Sequence, residues 1–94
     1  MNDVRTSYYL RLHAVNRPGV LADVTRILGD LSISIEAILQ KEPAEGDDAV
    51  PIIILTHPVV ERSMNSAIAR IEALAAIRGR VARIRLEHLR ADWR

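Results

Sequence analysis

A chain of 94 residues with 49% hydrophobic content supports one domain with a modest core. It has no cysteine, which excludes disulfides and thiolate metal sites and fits a cytoplasmic setting. The net charge of +1 gives no overall electrostatic case for nucleic acid or an anionic membrane. No apolar run approaches the roughly 20 residues of a membrane helix, and Met1 to Ser7 lack the apolar core of a secretory signal.

Residues 1–6 are polar and read as a disordered N-terminus. From Tyr8 to Val15 the side chains alternate, with Tyr8, Leu10, Leu12 and Ala14 against Tyr9, Arg11, His13 and Val15. That is the pattern of a half-buried strand. After the turn Asn16-Arg17-Pro18-Gly19, apolar residues recur at helical spacing: Val20, Leu21, Val24, Ile27, Leu28 and Leu31. A helix is predicted from Pro18 to Asp30, with Pro18 in its first turn and Gly29 as its C-terminal signal. Ser32 to Lys41 alternates again, Ile33, Ile35, Ala37 and Leu39 facing one way and Ser34, Glu36, Ile38 and Gln40 the other. The acidic segment 42–48 carries Pro and Gly and reads as a solvated loop; its spacing lacks the ligands of a calcium loop.

Ala49 to Thr56 is a third strand, apolar on both faces at Ile52-Ile53-Ile54-Leu55, as in a sheet covered on both sides. A second helix follows from Val60 to Ala76, with Met64, Ala67, Ile68, Ile71, Leu74 and Ile77 inward and Gly79 ending it. Val81 to His88 completes the set as a strand, and residues 89–94 form a C-terminal tail. The order β-α-β-β-α-β with right-handed crossovers gives an α+β, ferredoxin-like fold over residues 7–88: a four-stranded antiparallel sheet with two helices on one face. The first and third strands are central. The face away from the helices is predicted to carry Tyr9, Arg11, His13, Ile38, Arg83 and Arg85, and to be available to a partner.

The candidate site is the turn itself. The free N–H groups of a helix's first turn, with the positive end of its dipole, suit a carboxylate. Gly19 lets a ligand approach the backbone, and Asn16 offers both a donor and an acceptor. An ordinary strand-to-helix turn uses the same residues. His13, His57 and His88 lie on different strands without metal-ligand spacing. No serine stands in a nucleophile elbow, and Glu36 and Glu87 are explained by pairing with arginines. No catalytic set emerges, and the chain by itself is not read as an enzyme. An RNA-recognition role is disfavoured because phenylalanine is absent and the third strand carries no aromatic residue.

With Asn16-Arg17-Pro18-Gly19-Val20-Leu21 followed by Ile33-Ser34-Ile35, the chain resembles the ACT domain, a small-molecule-sensing module. Five blocks in order sharpen the likeness: Tyr8 to Leu12, Arg17 to Ala22, Ile33 to Glu36, Gln40 to Glu42 and Pro51 to His57. Together they resemble the C-terminal regulatory domain of bacterial homoserine dehydrogenases. That resemblance implies a parent enzyme with upstream catalytic domains that reduces aspartate semialdehyde with an NAD(P) cofactor. No G-x-G-x-x-G is present here to hold one. It implies pairing of domains as a homodimer or higher oligomer, and threonine as the effector. Carried over by position, Asn16, Gly19, Val20 and Leu21 form the loop half of the pocket. Ser34 falls where other ACT domains often place an asparagine reaching in from the neighbouring domain. A structural dimerisation module without ligand, and a stand-alone ACT protein acting on another enzyme, remain open alternatives.

Overall fold

The structure, a computed structural model, describes residues 5–42, 46 and 48–86. The expectations for residues 1–4, for most of the acidic loop, and for the chain after Leu86 (Glu87 and His88 included) lie outside these residues. Strand β1 (Arg5–Val15) follows the alternation seen in the sequence, with Tyr8, Leu10, Leu12 and Ala14 buried. Both of its edges are paired antiparallel. β3 (Ala49–Thr56) runs beside it from Tyr9↔Leu55 to Val15↔Ala49, and β5 (Ile77–Leu86) from Ser7↔Leu86 to Ala14↔Ile77. β2 (Ile35–Gln40) pairs outside β3. The first and third strands are therefore central, as expected. Helices α1 (Val20–Asp30) and α2 (Glu61–Glu72) send Val24, Leu28, Met64 and Ile71 into one core with the buried faces of β1 and β3.

The ferredoxin-like α+β fold holds, with one addition to the expected four strands. Val59–Val60 forms a short strand, β4, against Thr6 and Arg5, so the sheet has five strands. Several boundaries also move. α1 starts at Val20 rather than Pro18, because Gly19 is left-handed at φ 90° and caps the helix from outside. Its C-terminus is closed by Ser32 rather than Gly29. Ser32 takes φ 60°, its N–H bonds to the Gly29 carbonyl at 2.9 Å, and the Ile33 N–H bonds to the Leu28 carbonyl at 2.9 Å. That is the Schellman arrangement, with Ile33 and Leu28 both in the core.

α2 ends at Glu72, short of the predicted Ala76, and Gly79 lies inside β5 instead of ending the helix. With φ 71°, Gly79 sits in a bulge where Arg78 to Ala82 of β5 span only His13 to Arg11 of β1. The Glu72 carboxylate accepts the Val81 N–H at 2.7 Å and holds the far side of this bulge. β2 has its own irregularity between Ile35 and Ala37. It turns Ile35 and Ile38 toward the core and leaves Ala37 and Leu39 on the opposite face, so the single face expected for Ile33, Ile35, Ala37 and Leu39 does not form.

The open face of the sheet is corrected accordingly. Tyr9, Arg11 and His13 lie on it as expected, but Ile38, Arg83 and Arg85 do not. Arg83 and Arg85 pair with Leu10 and Tyr8 on the helix side, and Ala82, Ile84 and Leu86 take the open side. β3 is covered on one side within this chain: Val50, Ile52, Ile54 and Thr56 are buried, while Ile53 and Leu55 are half-buried.

Two substitutions test this account. Thr56 is fully buried, and its Oγ1 accepts the Tyr8 N–H at 3.1 Å. Thr56→Val keeps the shape and leaves that N–H unpaired, so it should cost about 1–3 kcal/mol in urea unfolding, with faster amide exchange at Tyr8. Ser32→Gly relieves a left-handed residue whose cost is about 1 kcal/mol, and should raise the unfolding midpoint. A lowered midpoint would contradict the closure described for α1.

Candidate ligand site at the strand-to-helix turn

The turn after β1 is fixed from both sides. The Val15 N–H bonds to the Ala76 carbonyl at 2.8 Å, and the Asn16 N–H bonds to the Asp48 carbonyl at 3.1 Å. Within the turn, the Arg17 N–H reaches back to the Val15 carbonyl at 2.9 Å. Gly19 then reverses the chain in the left-handed region, and its carbonyl accepts the Asp23 N–H at 3.0 Å as the first helical bond. A Cβ added at Gly19 meets nothing within 4 Å. Backbone conformation, rather than crowding, is what calls for glycine here.

Glycine has no side-chain oxygen, so α1 begins without a side-chain cap. The N–H groups of Val20, Leu21 and Ala22 have no acceptor among the described residues. They belong to the positive end of the helix dipole. Beside them lies a cavity of about 390 Å³, bounded by residues 14–21, by Gln40 of β2 and by Val50 and Ile52 of β3. Its floor is apolar sheet, and the amides of Asn16 and Gln40 border it. Its size is within the range of small-molecule sites, and its lining is about equally polar and apolar. A second cavity of about 340 Å³ lies behind the same loop, against Asp23 and the turn from Leu74 to Ala76. Asp23, whose carboxylate pairs with Arg26 at 3.1 Å, borders that second space and not the first.

Of the residues singled out from sequence, Asn16, Gly19, Val20 and Leu21 come together around the first cavity. Ser34 does not join them within one chain. It precedes β2 beside the other end of β3, where its carbonyl accepts the His57 N–H at 2.9 Å. Gln40 is the residue that sequence reasoning passed over. It pairs with Ile52, whose buried side faces the helices, and the bulge after Ile35 is what sets its side of the sheet. Among the described residues, no group of three or more His, Cys, Asp or Glu side chains is placed to hold a metal ion. No helix among the described residues is long and apolar enough to cross a membrane.

Comparison with known proteins agrees with this geometry. The family model for the ACT domain matches residues 8–76. A homoserine dehydrogenase of Methylobacillus glycogenes is 62% identical over 89 residues, which are 95% of this chain and 22% of that protein. The crystal structure of a homoserine dehydrogenase from Thiobacillus denitrificans superposes with a TM-score of 0.81 at 60% identity, over 90% of this chain and 18% of that one. The ACT domain from the GTP pyrophosphokinase of Chlorobium tepidum shares the fold, with a TM-score of 0.66 at 11% identity, over 85% of this chain and 99% of that one. The chain thus spans about a fifth of the length of the dehydrogenases it matches. With its element order, its left-handed Gly19 turn and a family match over most of its length, the chain belongs to the ACT domain family.

Proposed function

We propose that this chain is the amino-acid-sensing regulatory domain of a homoserine dehydrogenase and that its effector is threonine. The uncapped first turn of α1, opening on a cavity with the Asn16 and Gln40 amides, carries the reading. The effector carboxylate sits on the N–H groups of the turn, at Gly19, Val20 and Leu21. Asn16 bonds its ammonium or carboxylate, and Gln40 is placed to bond a side-chain hydroxyl. Ser34 contributes from a second copy, since its own chain keeps it away from the turn. Binding between paired domains favours one arrangement of the pair, and only that difference in affinity can pass a signal to the catalytic part of the parent enzyme. The nicotinamide cofactor of that parent belongs to its other domains, since no dinucleotide-binding glycine motif stands in this chain.

A second reading is pairing without an effector. The observation in its favour is the open sheet face, where Leu39 and Ile84 are 55% and 56% exposed beside half-buried Ile53 and Leu55. Apolar side chains exposed together in this way mark contact surfaces.

Thermal melts against single amino acids separate the two. Threonine at a hundred times its dissociation constant adds about 2.7 kcal/mol, a shift on the order of 10 °C or more for a domain of this size. Asn16→Ala and Gln40→Ala should abolish the shift while leaving the unliganded midpoint within about 0.5 kcal/mol of the parent. No shift with any amino acid favours pairing alone, and an undiminished shift in both variants rejects the assigned pocket. Gly19→Ala should lose about 1–2 kcal/mol without ligand, because alanine at a left-handed φ is strained even where its Cβ has room.

A further inference from the structure

A third cavity, of about 320 Å³, opens near the other end of β1 and is lined by Tyr8, Glu61, Arg83 and Arg85. Tyr8 and Ala14, which borders the first cavity, are six positions apart on an extended strand, about 20 Å. The space forms beside the first residue of α2, where Arg83 and Arg85 occupy helix-side positions of β5 and yet stay exposed.

One of its lining residues, Tyr8, brings a polar group that the protein leaves unexplained. Tyr8 is 1% exposed, and its backbone N–H is satisfied by Thr56. Its phenolic hydroxyl has no hydrogen-bond partner among the described residues. Packing requires only the ring, and burying an unbonded hydroxyl costs about 1–3 kcal/mol. Over that ring lies the Arg83 guanidinium, with Cζ 5.8 Å from the centroid. Arg83 is itself held by the Asn65 Oδ1 at 2.6 Å. Arg85 stands directly opposite Tyr8, and its side chain has no hydrogen-bond or ion-pair partner among the described residues, nor does that of Glu61. α2 starts here at Glu61, and its N-cap residue, Val60, gives no side-chain cap.

We propose that this cavity binds the carboxylate of a small molecule, distinct from any effector at the Gly19 turn. Arg85 supplies the free charge-assisted donors, Arg83 a second guanidinium already fixed in place, and the Tyr8 hydroxyl a third donor. Two guanidiniums against one carboxylate leave a single net positive charge, which suits a carboxylate better than a phosphate dianion. Glu61 then gives an ammonium group on the same ligand a place to pair.

The test is an NMR titration of the 94-residue chain with sodium acetate and, separately, with inorganic phosphate, using sodium chloride at matched ionic strength as the reference. Acetate should move the amide signals of Tyr8, Arg83 and Arg85 along a saturating curve, at lower concentration than phosphate. Arg85→Gln should weaken binding about tenfold and Tyr8→Phe about fivefold, while Asn16→Ala leaves it unchanged. Arg85 is exposed, so its variant keeps the test valid should Tyr8→Phe disturb the core. Shifts that only follow ionic strength, or that persist in both variants, would overturn the site. Tighter binding of phosphate would overturn the carboxylate assignment.

Discussion

β1 is the constraint on which everything else depends. Its two edges are occupied by β3 and β5, and its inner face carries Tyr8, Leu10, Leu12 and Ala14, all nearly inaccessible. Burying a large apolar side chain is worth about 1.5–3 kcal/mol, so this one face contributes a large share of the driving force for a domain this small. A shift of one residue would turn the whole set outward and bring Arg11 into the core. With β1 fixed, the ends of its neighbours are fixed too. The candidate effector site stands at one end of the strand and the arginine-lined cavity toward the other.

At the first of these ends the fold gives up a helix cap. Serine, threonine or aspartate at position 19 could have satisfied a first-turn N–H, an interaction worth about 1 kcal/mol. The left-handed φ favours glycine instead, so the donors remain open toward the cavity. The loop that carries them is also a wall between two cavities, and the Val15–Ala76 hydrogen bond joins its start to the turn between α2 and β5. A ligand that displaces the loop therefore acts on α2 and β5 as well as on α1. This is a physical route by which occupancy could bias how the domain packs against its neighbours.

The two faces of the sheet have different chemistry for a reason that lies in the bulges. An extra residue in β2 near Ile35 sends Ile38 inward and Leu39 outward. The bulge at Gly79 lets β5 continue with Val81 in the core while Arg83 and Arg85 lie beyond it on the same side. The outer face is left largely apolar around Tyr9, Ile53, Leu55 and Ile84, with Arg11 and His13 among them. Glu72 steadies the bulge in β5 by accepting the Val81 N–H, so a helix side chain supports a strand irregularity.

The sequence by itself determined the order of the main elements, without the short β4, and the core faces of β1, β3 and the two helices, but not those of β2 and β5. Alternation at Tyr8 to Ala14 and helical spacing at Val20 to Leu28 are local periodicities, and burial follows them directly. The loop half of the site was legible for the same reason: Asn16, Gly19, Val20 and Leu21 are neighbours in the chain. Tertiary structure decided what depends on register. Gln40 borders the cavity only because β2 pairs with Ile52 after a bulge, and Arg83 and Arg85 face the helices only because β5 is bulged at Gly79. Gly79 itself has the composition of a helix stop and the role of a strand kink, and nothing local distinguishes the two. Periodicity records which residues share a face, whereas an inserted residue changes which face that is, and only pairing with another strand reveals the insertion.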